Sequence, residues 1–296
     1  MILPELYLPS RINKTWQYSG IDSINYCTDR AHFLSYPHTI EYKYNSRGFR
    51  DQEWPESIEE LQNAIWCIGD SFTVGIGSPY EFTWPQVLSN ATGRRCINIG
   101  MDGASNTWIS RCVGQIVQEI APTHIVVLWS YFHRRELPNT DLHNERRILH
   151  YDKSSSDHDD LLDFINCYTN ANSCSNTDVF NATIPCAAKF NLHDEKSQYI
   201  IQSWHNIQDP EWGSAILDKD KFDLLSDHIK AEIHARAPDL AKCIDEVSAW
   251  NNFIKYNEFV RLDYLDYARD HHHFDKITSE FFVQQICKKI MAVSGS

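Results

Sequence analysis

Positive charge is scarce in these 296 residues: 27 Lys and Arg stand against 40 Asp and Glu, a formal net charge of −13. A surface of that sign repels phosphate backbones, so no nucleic acid is expected as a partner. Long apolar runs are missing too. The first ten residues, MILPELYLPS, have neither a basic start nor an extended apolar stretch, so no secretory leader is expected. No segment is apolar enough to cross a bilayer. The expectation is a soluble, cytoplasmic protein that binds no membrane, in which the sequons at Asn13, Asn90 and Asn181 carry no meaning. Paired cysteines are also lacking. The nine present are odd in number and scattered, which argues against a disulfide framework. Cys167, Cys174 and Cys186, with six and eleven residues between them, do not match a zinc-ligand spacing, so reduced thiols and no metal are expected.

What is present is an ordinary globular balance, 42% apolar and 23% charged, in a chain long enough for one large domain or two small ones. Residues 1–63 are irregular and are expected to form an N-terminal extension packed on the core. Within them NSRGFRD (Asn45 to Asp51) predicts an extended stretch with a turn at Gly48, and Glu56 to Asn63 a short helix. Regularity then begins. AIWCIG (Ala64 to Gly69), RCINIG (Arg95 to Gly100) and HIVVLW (His124 to Trp129) are short apolar runs, as strands buried on both faces would be. Thr83-Trp84-Pro85 opens a helix that stops near Gly93. Ser105 to Ile120 carries apolar residues at helical spacing from Trp108 to Ile120. Residues 64–129 therefore read β-α-β-α-β, an α/β fold whose parallel sheet is covered by helices. Residues 137–255 are polar, with helical stretches expected at Leu161–Tyr168, Leu192–His205 and Phe222–Ala235. They are expected to form an insertion or cap within a 64–296 domain. Trp204, Trp212 and Trp250 there read as core residues. Asp275 to Val293 predicts an amphipathic closing helix.

Two clusters carry chemistry. In IGDSFTVGIG (Ile68 to Gly77), Ser71 directly follows a buried strand, where a hydroxyl can face a cleft at the carboxyl edge of a parallel sheet. Thr73 stands where an α/β-hydrolase nucleophile elbow needs glycine. No Gly-Lys-Ser/Thr follows to make a phosphate loop, and Gly75-Ile76-Gly77 lacks the third glycine of a dinucleotide fingerprint. A nucleotide-binding protein thus lacks its usual signal, and a plain Gly/Asp/Ser turn is the bland alternative. In ARDHHHFD (Ala268 to Asp275), Asp270 and His273 are three apart, so one turn brings a carboxylate to an imidazole. A serine hydroxyl needs such a base, and the base needs an orienting acceptor. A metal site at His271, His272 and His273, or a helix start decorated with solvated histidines, are the alternatives.

Together these blocks resemble the SGNH (GDSL) hydrolase superfamily: GDSFTVG at a strand end, NIGMDGASN after the next strand and DHHHF before the last helix. NSRGFRD is similar to a lead-in found in many bacterial and phage members, so a phage-encoded chain fits the resemblance. The resemblance implies a flavodoxin-like three-layer α/β/α sandwich with a central parallel sheet, and ester or acyl-transfer chemistry through an acyl-enzyme without a cofactor. It implies Ser71 as nucleophile, His273 as base, Asp270 as its partner, and an oxyanion hole built from the N–H groups of Ser71 and Gly103, with Gly100 as fallback. One block departs. The family's G-x-N-D after the third strand is replaced by WSYFHRRE (Trp129 to Glu136), without Gly or Asn. Ser130, His133, Arg134, Arg135 or Asn106 are candidates for the missing donor, and Arg134 for binding substrate. Arg134, Arg135 and Glu136 read equally as a structural ion pair. The expected partner is a small-molecule or carbohydrate ester. An O-acyltransferase on the same triad, or a non-catalytic carbohydrate-binding or structural module, are the competing functions.

Overall fold

The computed structural model describes residues 6–131, 134–136, 148–149, 157–173, 176–183, 259–262 and 264–294. They lie almost wholly in one compact unit, made of 1–152, 164–187 and 259–296; of a second unit, 153–163 and 188–258, residues 157–163 are described. In the N-terminal part β1 (Thr15–Trp16) pairs antiparallel with β2 (Tyr42–Lys43). Between them lies α1 (Arg30–Ser35), whose first turn is capped by the Asp29 carboxylate accepting from the N–H groups of Ala31 and His32. Then α2 (Ile58–Asn63) leads into the main sheet.

In β3 (Ile65–Gly69) and β4 (Cys96–Gly100) every residue is buried, and in β5 (His124–Trp129) all but His124. Strands without a polar face need cover on both sides. After β3 come the single-turn α3 (Ser71–Val74) and α4 (Trp84–Thr92), which return the chain to β4; α5 (Asn106–Glu119) then carries it back across β3 to β5. Right-handed crossovers in opposite directions place their helices on opposite faces. A two-stranded ribbon, β6 (Arg135–Glu136) with β7 (Ile148–Leu149), and the helix α6 (Asp157–Ala171) follow. Two further strands, β8 (Asp178–Thr183) and β9 (Val260–Arg261), complete a five-stranded sheet of order β4-β3-β5-β8-β9, and every neighbouring pair is parallel. The closing α7 (Lys276–Ser294) packs on α4, and Ser110 of α5 donates to the Cys167 carbonyl of α6 at 2.9 Å. The architecture is the α/β/α arrangement with a central parallel sheet.

Local signals explain the helix ends. Ser105 caps α5 by accepting from the Trp108 N–H at 3.1 Å, a contact worth about 1 kcal/mol. Thr83 occupies the position before α4, but its hydroxyl turns back to donate to the Tyr80 carbonyl, so it does not cap with its side chain.

One part of the expected 137–255 insertion belongs to the main sheet: β8 runs beside β5 from His124↔Asp178 to Trp129↔Thr183 as a full strand, with α6 before it as a crossover. The sequence DVFNAT hides this because its polar residues find partners only in the fold. Buried Asn181 accepts from Trp129 Nε1 at 2.9 Å and donates to Asn172 Oδ1 at 2.8 Å. The helices expected at Leu192–His205 and Phe222–Ala235, and Trp204, Trp212 and Trp250, lie outside the described residues. Among the described residues, no helix is long and apolar enough to cross a membrane.

Candidate active site

The carboxyl edge of β3 places Ser71. A Cβ on Gly69 would lie 2.2 Å from Thr73 Oγ1 and 2.7 Å from the Leu128 carbonyl oxygen, so the strand turns into α3 only with glycine there. Asp70 caps this turn, its Oδ1 accepting from the Phe72 N–H at 3.1 Å, and Gly75 ends it in the left-handed region at φ 74°. From β4, Asn98 donates to the Thr73 carbonyl at 2.8 Å and accepts from the Gly100 N–H at 2.9 Å. Ser71 is thus the first residue of a buried turn clamped by the two strands beneath it.

Its partners come from the loop before α7. His273 Nε2 lies 2.8 Å from Ser71 Oγ, across 202 residues of chain, and His273 Nδ1 lies 2.5 Å from Asp270 Oδ2. The other Asp270 oxygen accepts the N–H groups of His272 and His273, each at 3.0 Å. Burial opposes the charge on Asp270, but the His273 charge, its hydrogen bond and the two N–H donors outweigh it, so the carboxyl sits below its usual range. Burial also opposes a charge on His273. There Asp270, and more weakly Asp102 and Asp70, prevail and raise its pKa above the ordinary imidazole value. With Asp270 ionised, Nδ1 carries the proton and Nε2 is free to accept from Ser71. The three adjacent histidines do not converge on a point. His273 faces Asp270 and Ser71, whereas the His271 ring lies 4.8 Å from that of His32 and 4.7 Å from that of Tyr267. Among the described residues no group of three His, Cys, Asp or Glu is arranged to hold a metal ion.

Residues 15–52, irregular in sequence, hold this loop and the Ser71 turn. Arg269 pairs through two nitrogens with buried Asp22, at 2.8 and 2.6 Å, and donates to the Gln17 carbonyl. Thr28 donates from its N–H to the Asp270 carbonyl at 3.1 Å and from its hydroxyl to that of His271 at 2.7 Å. The Tyr42 hydroxyl donates to Asp22 at 2.5 Å and accepts from the Gly77 N–H at 2.8 Å. Arg50, wholly buried, donates to the carbonyls of Gly75 and Ser78 at 2.5 and 2.9 Å. Asp51 joins Arg95 at 2.6 Å and accepts from the Asn98 N–H at 3.2 Å. NSRGFRD is therefore a clasp on the Ser71 turn. Asn45 Oδ1 accepts from the N–H groups of Arg47 and Phe49 to form its bend, as Asn commonly does in turns. The only sequence signal for this clasp was the resemblance of the lead-in itself.

The expected oxyanion donors separate into two groups. Gly103 has φ 75° in the Met101–Ala104 turn, closed by the Ala104 N–H to the Met101 carbonyl at 3.0 Å. Positive φ at the third residue of such a turn favours glycine. Among the described residues, the N–H groups of Ser71 and Gly103 have no acceptor. The others are corrected. The Gly100 N–H is taken by Asn98, and the bare Cα of Gly100 serves close packing, since a Cβ would lie 2.5 Å from the Val74 nitrogen. The Asn106 amide accepts from the Ser130 N–H and donates to the Ser130 and Tyr131 carbonyls, so it clamps the end of β5. The Ser130 hydroxyl donates to Asp70 Oδ2 at 2.7 Å. Of the residues read as an ion pair near β6, Arg134 pairs with Asp70 at 2.8 Å and Glu136 with Arg111 at 2.5 Å. His133 lies outside the described residues. A separate cavity of about 660 Å³ lies along residues 13–53 and 79–81; Ser71, Asp270 and His273 do not line it.

No family model and no curated protein matches this chain. It is similar to solved structures of GDSL-like lipolytic proteins. One, of the G-D-S-L family from Desulfitobacterium hafniense, is 11% identical and covers 75% of this chain and 96% of its own, with a TM-score of 0.39. One described as a GDSL-like lipase from Bacteroides ovatus is 11% identical, covering 79% of this chain and 54% of that one, about half its length, with a TM-score of 0.37. A GDSL-like lipase from Bacteroides thetaiotaomicron is 8% identical, covering 81% and 93%, with a TM-score of 0.34.

Proposed function

We propose that this chain is a serine hydrolase of the SGNH (GDSL) kind that cleaves an acyl ester through an acyl-enzyme. The supporting observation is the buried Ser71–His273–Asp270 relay, with contacts of 2.8 and 2.5 Å. In the first half-reaction Ser71 Oγ bonds to the ester carbonyl carbon while His273 Nε2 takes its proton. The carbonyl electron pair moves onto oxygen, where the N–H groups of Ser71 and Gly103 receive it. Collapse breaks the bond to the leaving alcohol, which takes the proton from His273. In the second half, water attacks the acyl-serine, His273 accepts and returns the proton, and the acid departs with Ser71 restored. Asp270 holds the imidazole in the tautomer that leaves Nε2 free and stabilises the imidazolium in between.

The substrate class fitting the polar composition of 137–255 is a short acyl ester, sugar O-acetyl groups included, over a long-chain lipid. The test is reaction of the pure protein with a fluorophosphonate probe, beside Ser71→Ala and His273→Ala, with the modified peptide located by mass spectrometry. Labelling of Ser71 that disappears in both variants is expected. A folded wild type that takes no label overturns the hydrolase reading and favours the binding module.

A further inference from the structure

The strand after which the family pattern places an asparagine donor ends here in a different device. Arg134 Nη1 donates to Asp70 Oδ2 at 2.8 Å, to Ser130 Oγ at 2.8 Å and to the Ala104 carbonyl at 3.5 Å. Its guanidinium carbon lies 4.7 Å from the centre of the Tyr131 ring, and its side chain keeps 11% of its surface exposed. One nitrogen of this fork thus touches the chain neighbour of each proposed backbone donor, Asp70 beside Ser71 and Ala104 beside Gly103. Nε and Nη2 have no partner among the described residues. A planar guanidinium anchored at one corner and stacked on a ring presents its remaining N–H groups in a fixed direction.

The electrostatics around the relay favour such a group. Asp270, Asp102 and Asp70 all act on His273. The same three carboxylates would oppose negative charge growing on a substrate carbonyl oxygen. Asp270 is answered by the imidazolium that forms during attack. Asp70 is answered by Arg134. A guanidinium offsets the full charge of a carboxylate and still has donors to spare.

Resting on the serine-hydrolase reading, we propose that Arg134 is the third donor of the oxyanion hole, doing with a charged fork what the family's asparagine does with an amide, while cancelling the charge of Asp70. The expectation that Arg134 binds a substrate's anionic group becomes the competing outcome. That role would bring an anion towards Asp70, the carboxylate Arg134 already holds, and it would show in KM.

The experiment measures kcat and KM on a neutral ester, 4-nitrophenyl acetate, for wild type, Arg134→Gln and Arg134→Lys. Thermal melting of each variant and the affinity of a boronic acid that forms a tetrahedral adduct on serine are followed alongside. Loss of one oxyanion donor typically costs about 100- to 1,000-fold in kcat. Arg134→Gln is expected to fall in that range with KM little changed and to lose boronate affinity. Arg134→Lys, which keeps a cation against Asp70 without the planar fork, is expected to fall less. Because it preserves the Asp70 pair, it also serves if Arg134→Gln does not fold. Full kcat in a folded Arg134→Lys with unchanged boronate affinity, or a rise in KM with kcat intact in either variant, overturns the inference. A wild type inert to ester and fluorophosphonate alike overturns the hydrolase reading itself, and this inference with it. An active wild type with an indifferent variant overturns this inference alone.

Discussion

Ser71 and His273, the proposed nucleophile and base, stand on two loops that residues 15–52 both touch but that are otherwise held by unlike means. The Asp70–Gly77 turn is clamped from below by the sheet: glycines at Gly69 and Gly100 allow close approach, and Asn98 of β4 ties down the Thr73 carbonyl. The Ala268–Asp275 loop is gripped from the side by residues some 240 positions away in the chain, with Asp22 on Arg269, Thr28 on Asp270 and His271, and His32 on the Ala268 carbonyl at 2.9 Å. A serine at a strand end comes with the α/β architecture. A base in register with it has to be positioned by whatever else the chain supplies.

Four substitutions probe that contrast. The largest effect is expected from Asp270→Asn, which keeps the shape of the base loop and removes its charge: kcat should fall by about 10⁴-fold. Activity needs neutral His273, so in the wild type it should decline as pH falls through a pKa raised above the ordinary imidazole value. Losing the main group that raises it should move this acid limb to lower pH. A limb that stays put in a pH–rate profile would separate Asp270 from the titration. Next is Arg269→Ala, which leaves the wholly buried Asp22 carboxylate with the Tyr42 hydroxyl but without its countercharge. Breaking a buried pair costs about 3–5 kcal/mol, measurable by urea unfolding, and ester turnover should drop with it. Asn98→Ala is its counterpart on the nucleophile side. It leaves the Thr73 carbonyl and the Gly100 N–H without their side-chain partner, at about 1–3 kcal/mol. If Asn98→Ala disturbs the Ser71–His273 contact more than Arg269→Ala does, as read from the downfield imidazole proton by NMR, the contrast between the loops is wrong. The smallest effect belongs to Thr28→Val, which removes one hydroxyl donor and should cost about 1 kcal/mol. Fluorophosphonate labelling should slow in step with it.

The same contrast decides what was legible in the sequence. β3, β4 and β5 stand out because strands covered on both faces are unbroken apolar runs, and α5 because its buried side recurs at helical spacing. Ser71, Asp270 and His273 stand out because a nucleophile at a strand end and a carboxylate three residues before a histidine are local patterns. β8 did not, since an edge-ward strand carrying Asn181 and Thr183 depends on partners from β5 and the residue after α6. The loss of Gly100, Ser130 and Asn106 as donors has a like cause: a polar group is free or committed according to its neighbours in space, and Asp70, Asn98 and Ser130 took them up. The grip of Asp22, Thr28 and Arg50 leaves no periodicity at all, because each is a single side chain meeting distant backbone or charge.

The 202-residue separation of Ser71 from His273 also sets an order in time. On a ribosome adding about 5–20 residues per second, the serine would emerge some 10–40 s before the histidine proposed to activate it. Through that interval the growing chain would carry an unactivated hydroxyl, and its proposed reactivity would begin only when the Ala268–Asp275 loop docks on residues 15–52.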